Sequence, residues 1–161
     1  MARCTIKGLN DWSVKLQELG EAAHEIMGAA VYEGARVVAD GVKQALGTIP
    51  IDDGYKPNGV PRKSATQDEI NDLRSAVGIA RFDSTGGKVS TAVGFDGYSS
   101  HKTKKYPGGV PLPMIARSIE SGSSVRQKHP FMRRTANNLK SAAQEAMVRA
   151  AAEEIRKHGG N

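Results

Sequence analysis

Apolar positions along this chain recur with two periods, and the change of period divides it into elements. Residues 3–7 (RCTIK) form a short β-favouring run closed by Gly8, read as an edge strand. Trp12, Leu16 and Leu19 then follow at helical spacing, with Asn10 placed as a cap, Asp11 in the first turn and Gly20 as a stop. A longer helix is predicted over 21–46. There Ala23, Met27, Ala30, Gly34, Val37, Gly41 and Ala45 recur at three and four, and Ile26, Val38 and Val42 widen the stripe. Gly34 and Gly41 share a face two turns apart. Each costs about 1 kcal/mol relative to alanine inside a helix, so the pattern predicts close approach of another backbone at that face. Gly47 and Pro50 end the helix.

Periodicity is lost over 49–66 (IPIDDGYKPNGVPRKSAT), where prolines and Asp-Gly and Asn-Gly pairs accumulate; we read a projecting or mobile loop. Thr66 or Ser64 can cap a short helix running to Ala76, with Asp68 and Glu69 in its first turn. The period then drops to two. Residues 77–83 and 88–96 read as strands of a hairpin turning at 84–87, the second placing Val89, Thr91, Val93 and Phe95 on one face and Lys88, Ser90 and Asp96 on the other. A second projecting or mobile loop covers 97–109. A short helix over 113–121 ends at Gly122, which is expected to take a left-handed conformation. Pro130, preorganised for a first helical turn, opens a last helix reaching about residue 157. Its stripe is Phe131, Leu139, Ala142, Ala143, Ala146, Met147, Ala150 and Ile155. These elements predict an α+β fold in one domain over 1–161: a small antiparallel sheet, hairpin plus N-terminal strand, packed on two long helices and short ones.

Composition adds that the core is thin. Ile, Leu, Val and Phe supply 31 of 161 residues, and alanine and glycine make up much of the remaining apolar count. A body that buries little area per residue gains stability by burying surface against copies of itself or a partner. A single cysteine, Cys4, excludes a disulfide framework or a multi-thiolate zinc cluster. No run approaches a membrane span of ~20 apolar residues, and the N-terminus lacks the apolar segment of a secretory signal. We expect a soluble protein of a reducing cytoplasm.

Charge is unevenly distributed. The total is +6. Over 10–40, Asp11, Glu18, Glu21, Glu25, Glu33 and Asp40 face only Lys15 and Arg36; over 101–140 nine Lys and Arg face only Glu120. Three uses fit: a solvated surface, a nucleic-acid face, or assembly in which the acidic face of one copy meets the basic face of the next. For nucleic acid the candidates are Lys102, Lys104 and Lys105 beside Tyr106, without a helix-turn-helix or RNA-binding signature.

Catalytic patterns are missing. His24, His101, His129 and His158 show no metal spacing, and no GxSxG, SxxK, P-loop or GxGxxG occurs. Asp52-Asp53 and Glu153-Glu154 are adjacent pairs, which do not face one point on a helix. We therefore expect no enzyme, no cofactor and no metal.

One segment, ARSIESGSSVRQKHPFMRRTA over 116–136, resembles the C-terminal motif of small head–tail joining proteins of long-tailed bacteriophages, also called tail completion, tail terminator or minor tail proteins. The order of the other pieces is similar: a strand ending in Gly8-Leu9, a short helix, an alanine-rich helix ending near Pro50, a variable loop, a helix into a hairpin, then an acid-led turn and a Pro-Phe pair. The motif residues here are Glu120, Gly122, Pro130 and Phe131. Ser121-Gly122-Ser123 stands where an aromatic-Gly-Thr is usual, and DLRSAVGI replaces a Thr-Gly-x-Leu. The resemblance implies a virion protein at the head–tail junction, made in the host cytoplasm and acting as a ring, a hexamer in the virion. Its partners would be copies of itself, the tail tube protein and the head connector or stopper protein, with genomic DNA in the channel. From the residues themselves, Phe131 should anchor the last helix on the core. The other class of function left open is a basic nucleic-acid-binding module.

Overall fold

The computed structural model describes residues 9–54, 60, 64–84, 88–124 and 126–159, with backbone alone for 9–19 and 21. Six elements follow in order: α1 (Leu9–Leu46), α2 (Gln67–Ala76), β1 (Val77–Ile79), β2 (Val93–Phe95), α3 (Leu112–Ser121) and α4 (Phe131–Gly159). The class is α+β, with two long helices and a small antiparallel sheet. The strand expected over 3–7, with Cys4, lies outside the described residues.

The two helices expected over 11–19 and 21–46 are one. α1 runs unbroken for 38 residues, through Gly20. Glycine lowers helix propensity by about 1 kcal/mol but does not forbid the helix, and nothing crowds Gly20 or Gly28. The helix stops at Leu46, where the Gly47, Thr48 and Ile49 N–H groups turn back to carbonyls of 44–46 and the Thr48 hydroxyl donates to the Ala45 carbonyl at 2.8 Å.

α4 lies antiparallel along α1. Gly41 faces Leu139 and Thr135, Gly34 faces Met147 and Ala143, and Glu25 lies 3.4 Å from His158. A Cβ added at Gly34 would come within 2.6 Å of Met147 Cγ, and one at Gly41 would overlap the end of Leu139. The two glycines thus do mark a close helix approach, but chiefly they admit side chains of α4 rather than its backbone. Buried side chains of this seam are small: Ala22, Ala30 and Ala39 on α1, Ala143 and Ala146 on α4. Ala142 and Ile155, expected in the stripe of α4, are exposed, because a 3.6-residue period carries them off the face that meets α1.

The larger side chains gather at the C-terminal end of α1. Val42, Leu46, Leu73 and Ile119 are fully buried there, joined by Ile70, Leu112, Ile115 and Phe131. α2 begins at a complete capping box. The Thr66 hydroxyl accepts the Glu69 N–H at 3.2 Å, and the Glu69 carboxylate accepts the Thr66 N–H at 2.9 Å. Of the two expected caps, Thr66 is the one used; Ser64 is fully buried. β1 and β2 pair antiparallel in the register Val77↔Phe95, Gly78↔Gly94, Ile79↔Val93. The regular ladder is shorter than the expected strands, with one further bridge at Asp83↔Ser90. Glycines opposite each other supply no cross-strand side-chain pair to extend it. The face carrying Val89, Thr91, Val93 and Phe95 turns inward, and Lys88, Ser90 and Asp96 are exposed.

Both irregular stretches are tied to this body. At one, Ile51 bridges Ala65, the Ala65 carbonyl accepts the Asp52 N–H at 2.8 Å, and Asp53 accepts the Gln67 N–H at 2.9 Å. At the other, residues 97–111 fold back on themselves: Ser99 and Val110 are hydrogen-bonded, Thr103 and Tyr106 exchange both backbone bonds, and Leu112 donates to the Gly97 carbonyl. Asp72 of α2 holds this excursion by accepting the Ser100 N–H at 2.7 Å and its hydroxyl at 2.9 Å.

Candidate functional site

The motif residues Glu120, Gly122, Pro130 and Phe131 converge at the corner between α3 and α4. α3 ends at Gly122, whose φ of 76° is the positive value expected but whose ψ of 169° is extended rather than left-handed helical. That combination is nearly restricted to glycine. The turn is also crowded: an added Cβ would meet Lys128 at 3.1–3.3 Å. The chain reverses through a tight Ser123–Arg126 turn with backbone bonds in both directions, and His129 N–H returns to the Ile119 carbonyl at 2.7 Å.

α4 then starts at Phe131, one residue later than expected, with Pro130 just ahead of it. The first turn of any helix has N–H groups without intrahelical partners and a positive dipole end. Glu120, from the last turn of α3, supplies what that end needs. Its carboxylate accepts the Met132 N–H at 2.8 Å and the Arg133 N–H at 3.2 Å. Phe131 is buried and packs edge-on against Phe95 of β2, ring centroids 6.0 Å apart. The acid, the glycine and the Pro-Phe pair thus form one latch that sets the angle between α3 and α4 and pins both to the sheet.

A second tie to this corner was not read from the sequence. Arg126 is buried, and its Nη2 donates to both Glu69 oxygens, at 2.7 and 2.9 Å. Glu69 therefore serves the α2 capping box and the corner at once. Among the described residues Arg126 Nε and Nη1 and Ser64 Oγ are buried without hydrogen-bond partners. The capping-box spacing announces Glu69; no local pattern announces that Arg126, 57 residues on, closes on it.

Lys102, Lys104 and Lys105 sit exposed at the tip of the 97–111 excursion, with the Lys105 ammonium 5.6 Å from the centre of the Tyr106 ring. They are about the corner's chemistry in no way: neither the latch nor its ion pair involves them. Around the corner itself Lys128, Arg133 and Arg134 are exposed. Lys128, His129 and Arg134 line a shallow depression of about 240 Å³ with Thr48, Pro50 and Phe131.

The remaining ionisable groups are dispersed. His24 and His101 are exposed and His158 lies between Glu25 and Glu154. Asp53 holds the start of α2, while Glu154 binds Lys157 and, by that hydrogen bond and its charge, raises the pKa of the lysine. Among the described residues no group of three or more His, Cys, Asp or Glu is placed to hold a metal ion, and no helix is long and apolar enough to cross a membrane. The acidic stretch 10–40 lies on α1 and reaches the level of Thr135 and Leu139 of α4, while six of the nine basic residues of 101–140 lie between α3 and the first turns of α4 and three on the 97–111 excursion. No family model, curated protein or solved structure matches the chain.

Proposed function

We propose that this chain is a structural virion protein that completes the tail of a long-tailed bacteriophage and joins it to the head, acting as a ring between tail tube and connector. The observation that carries this reading is the corner over 116–136. It is the segment that resembles head–tail joining proteins, and its polar groups are engaged in holding helices rather than offered to a substrate: Glu120 on α4, Arg126 on Glu69, His129 N–H on α3. The uneven distribution of acidic and basic residues along the chain suits a heterologous contact between copies, which closes into a ring when its rotation allows. The 49–66 and 97–109 segments are the surfaces for tail tube and connector. The test is electron microscopy of particles assembled with tagged protein. Label at the single point where tail meets capsid is expected; label elsewhere, or normal joining of heads and tails without the chain, overturns the reading.

A nucleic-acid-binding module is the second reading, favoured by the three exposed lysines at one loop tip. Binding of a DNA duplex, followed by fluorescence anisotropy, should weaken with a log–log salt slope of about −0.9 per phosphate neutralised. It should vanish when Lys102, Lys104 and Lys105 become alanine. No binding at low salt removes this reading.

A further inference from the structure

The chain from 97 to 119 carries Lys102, Lys104, Lys105 and Arg117 and not one acid. It comprises the 97–111 excursion and most of α3. Two large apolar side chains left exposed by the fold lie in it, Tyr98 at 68% and Met114 at 46%. The excursion links them: Tyr98 bridges Pro111, three residues before Met114, and the Tyr106 hydroxyl donates to the Met114 sulfur at 3.7 Å. Pro107 and Pro113, next in sequence to Tyr106 and Met114, are exposed as well. The segment is held in shape by the paired Thr103 and Tyr106 backbone bonds and by Asp72 on Ser100. Gly109, at a φ of 109°, packs where an added Cβ would overlap the Ser99 carbonyl oxygen. A surface fixed in this way loses little freedom when something docks on it.

Met114 also borders a shallow depression of about 340 Å³ beside α3, lined by Arg117, Ser118, Ser121 and Ser123. Among the described residues no acid lines it, and Glu120, the nearest in sequence, is committed to N–H groups of α4. An exposed guanidinium among three hydroxyls suits a carboxylate. Tyrosine, methionine and arginine are also side chains enriched where proteins meet. We infer that this surface docks a partner protein presenting acidic side chains around an apolar centre. The apolar centre rests on Tyr98 and Met114, one carboxylate enters the depression at Arg117, and further acids face Lys102, Lys104 and Lys105. A phosphate backbone would use the lysines but would leave Met114 and the two prolines without a role. This deepens the head–tail reading above and rests on it for the partner, tail tube or connector; the surface itself names only the partner's chemistry.

The test is fluorescence anisotropy with the full chain and labelled probe peptides. A glutamate-rich peptide with a central Leu-Trp pair is expected to bind, several-fold more weakly at about 1 M salt, where the Debye length is about 3 Å. Lysine in place of glutamate should abolish binding. Serine in place of Leu-Trp should weaken it about tenfold, as truncation of an interface anchor does. Tyr98→Ala, Met114→Ala and Arg117→Glu should each weaken it by about the same factor. All three sites are exposed, and an unchanged circular dichroism spectrum shows that the fold is kept. No binding of the acidic peptide at low salt, or binding that these variants leave unchanged, overturns the proposal. So does a single-stranded oligonucleotide that binds more tightly than the peptide and is lost in Tyr98→Ala, since that assigns the surface to nucleic acid. The head–tail reading is judged separately by the electron-microscopy label. Label at the junction without peptide binding removes only this surface; peptide binding with label elsewhere removes only that reading.

Discussion

The Arg126–Glu69 pair makes an asymmetric prediction. Arg126 is 8% exposed, and the Glu69 side chain 15%. One nitrogen, Nη2, serves both carboxylate oxygens, while Nε and Nη1 are buried without partners among the described residues. A charge-assisted hydrogen bond contributes about 1.5–3 kcal/mol, and each buried donor left unpaired costs about 1–3 kcal/mol. The pair as a whole is therefore close to neutral, although each half depends on the other. Glu69→Gln leaves a buried guanidinium without its countercharge and should cost about 3–5 kcal/mol. Arg126→Met strands only a carboxylate that keeps the Thr66 N–H, and it also removes the two unpaired donors; it should cost less than about 2 kcal/mol. The double variant should return to within about 1 kcal/mol of the parent, since methionine removes the buried cation and its unpaired donors while the amide oxygen of Glu69→Gln still accepts the Thr66 N–H. Urea unfolding followed by far-ultraviolet circular dichroism measures all four corners of the cycle, with a constant slope showing that the same surface unfolds. Equal costs for the two single variants, or a double variant at their sum, would refute the reasoning.

Other expectations use the same unfolding assay. Gly28→Ala, with open space at its Cβ, should stabilise α1 by about 0.5–1 kcal/mol, whereas Gly41→Ala should destabilise it by about 1 kcal/mol, because the overlap with Leu139 and Thr135 exceeds the propensity gain. Two stabilising substitutions would mean that α4 yields at this seam. Glu120→Ala removes the acceptor of two N–H groups and a charge at a helix start, a loss of about 1–3 kcal/mol; Glu120→Gln, which keeps an oxygen, should lose roughly half as much. Phe131→Ala, at a site 6% exposed and packed on Phe95, should cost about 3–5 kcal/mol. A smaller loss would show that the corner is not anchored by its ring.

Much of this architecture is legible in the sequence where the cause is local. The helix ends at Leu46, Ala76 and Ser121 follow from Gly47, the switch to period two, and Gly122. The face of the second strand follows from alternation, and the close seam follows from Gly34 and Gly41. What sequence reading missed depends on distance or on competition. Gly20 is expected to stop a helix, yet glycine lowers helix propensity without forbidding it, and α1 continues through it. The role of Arg126 required Glu69 to arrive from another helix, and that of Asp72 required Ser100 to arrive from the 97–111 excursion. The motif acid illustrates both cases: Glu120 stands out as the lone acid of a basic stretch, but its task becomes visible only when α4 begins 11 residues later against it.

The length of α1 also has a mechanical consequence. A rod of 38 residues is about 57 Å long, and α4 supports it from Gly41 back to Glu25, which leaves its first 16 residues, about 24 Å, as an arm. A tilt of about 5° where that support ends swings the tip by about 2 Å, more than the rise of one residue. The uncrowded Gly20, within that arm, is where it bends most easily.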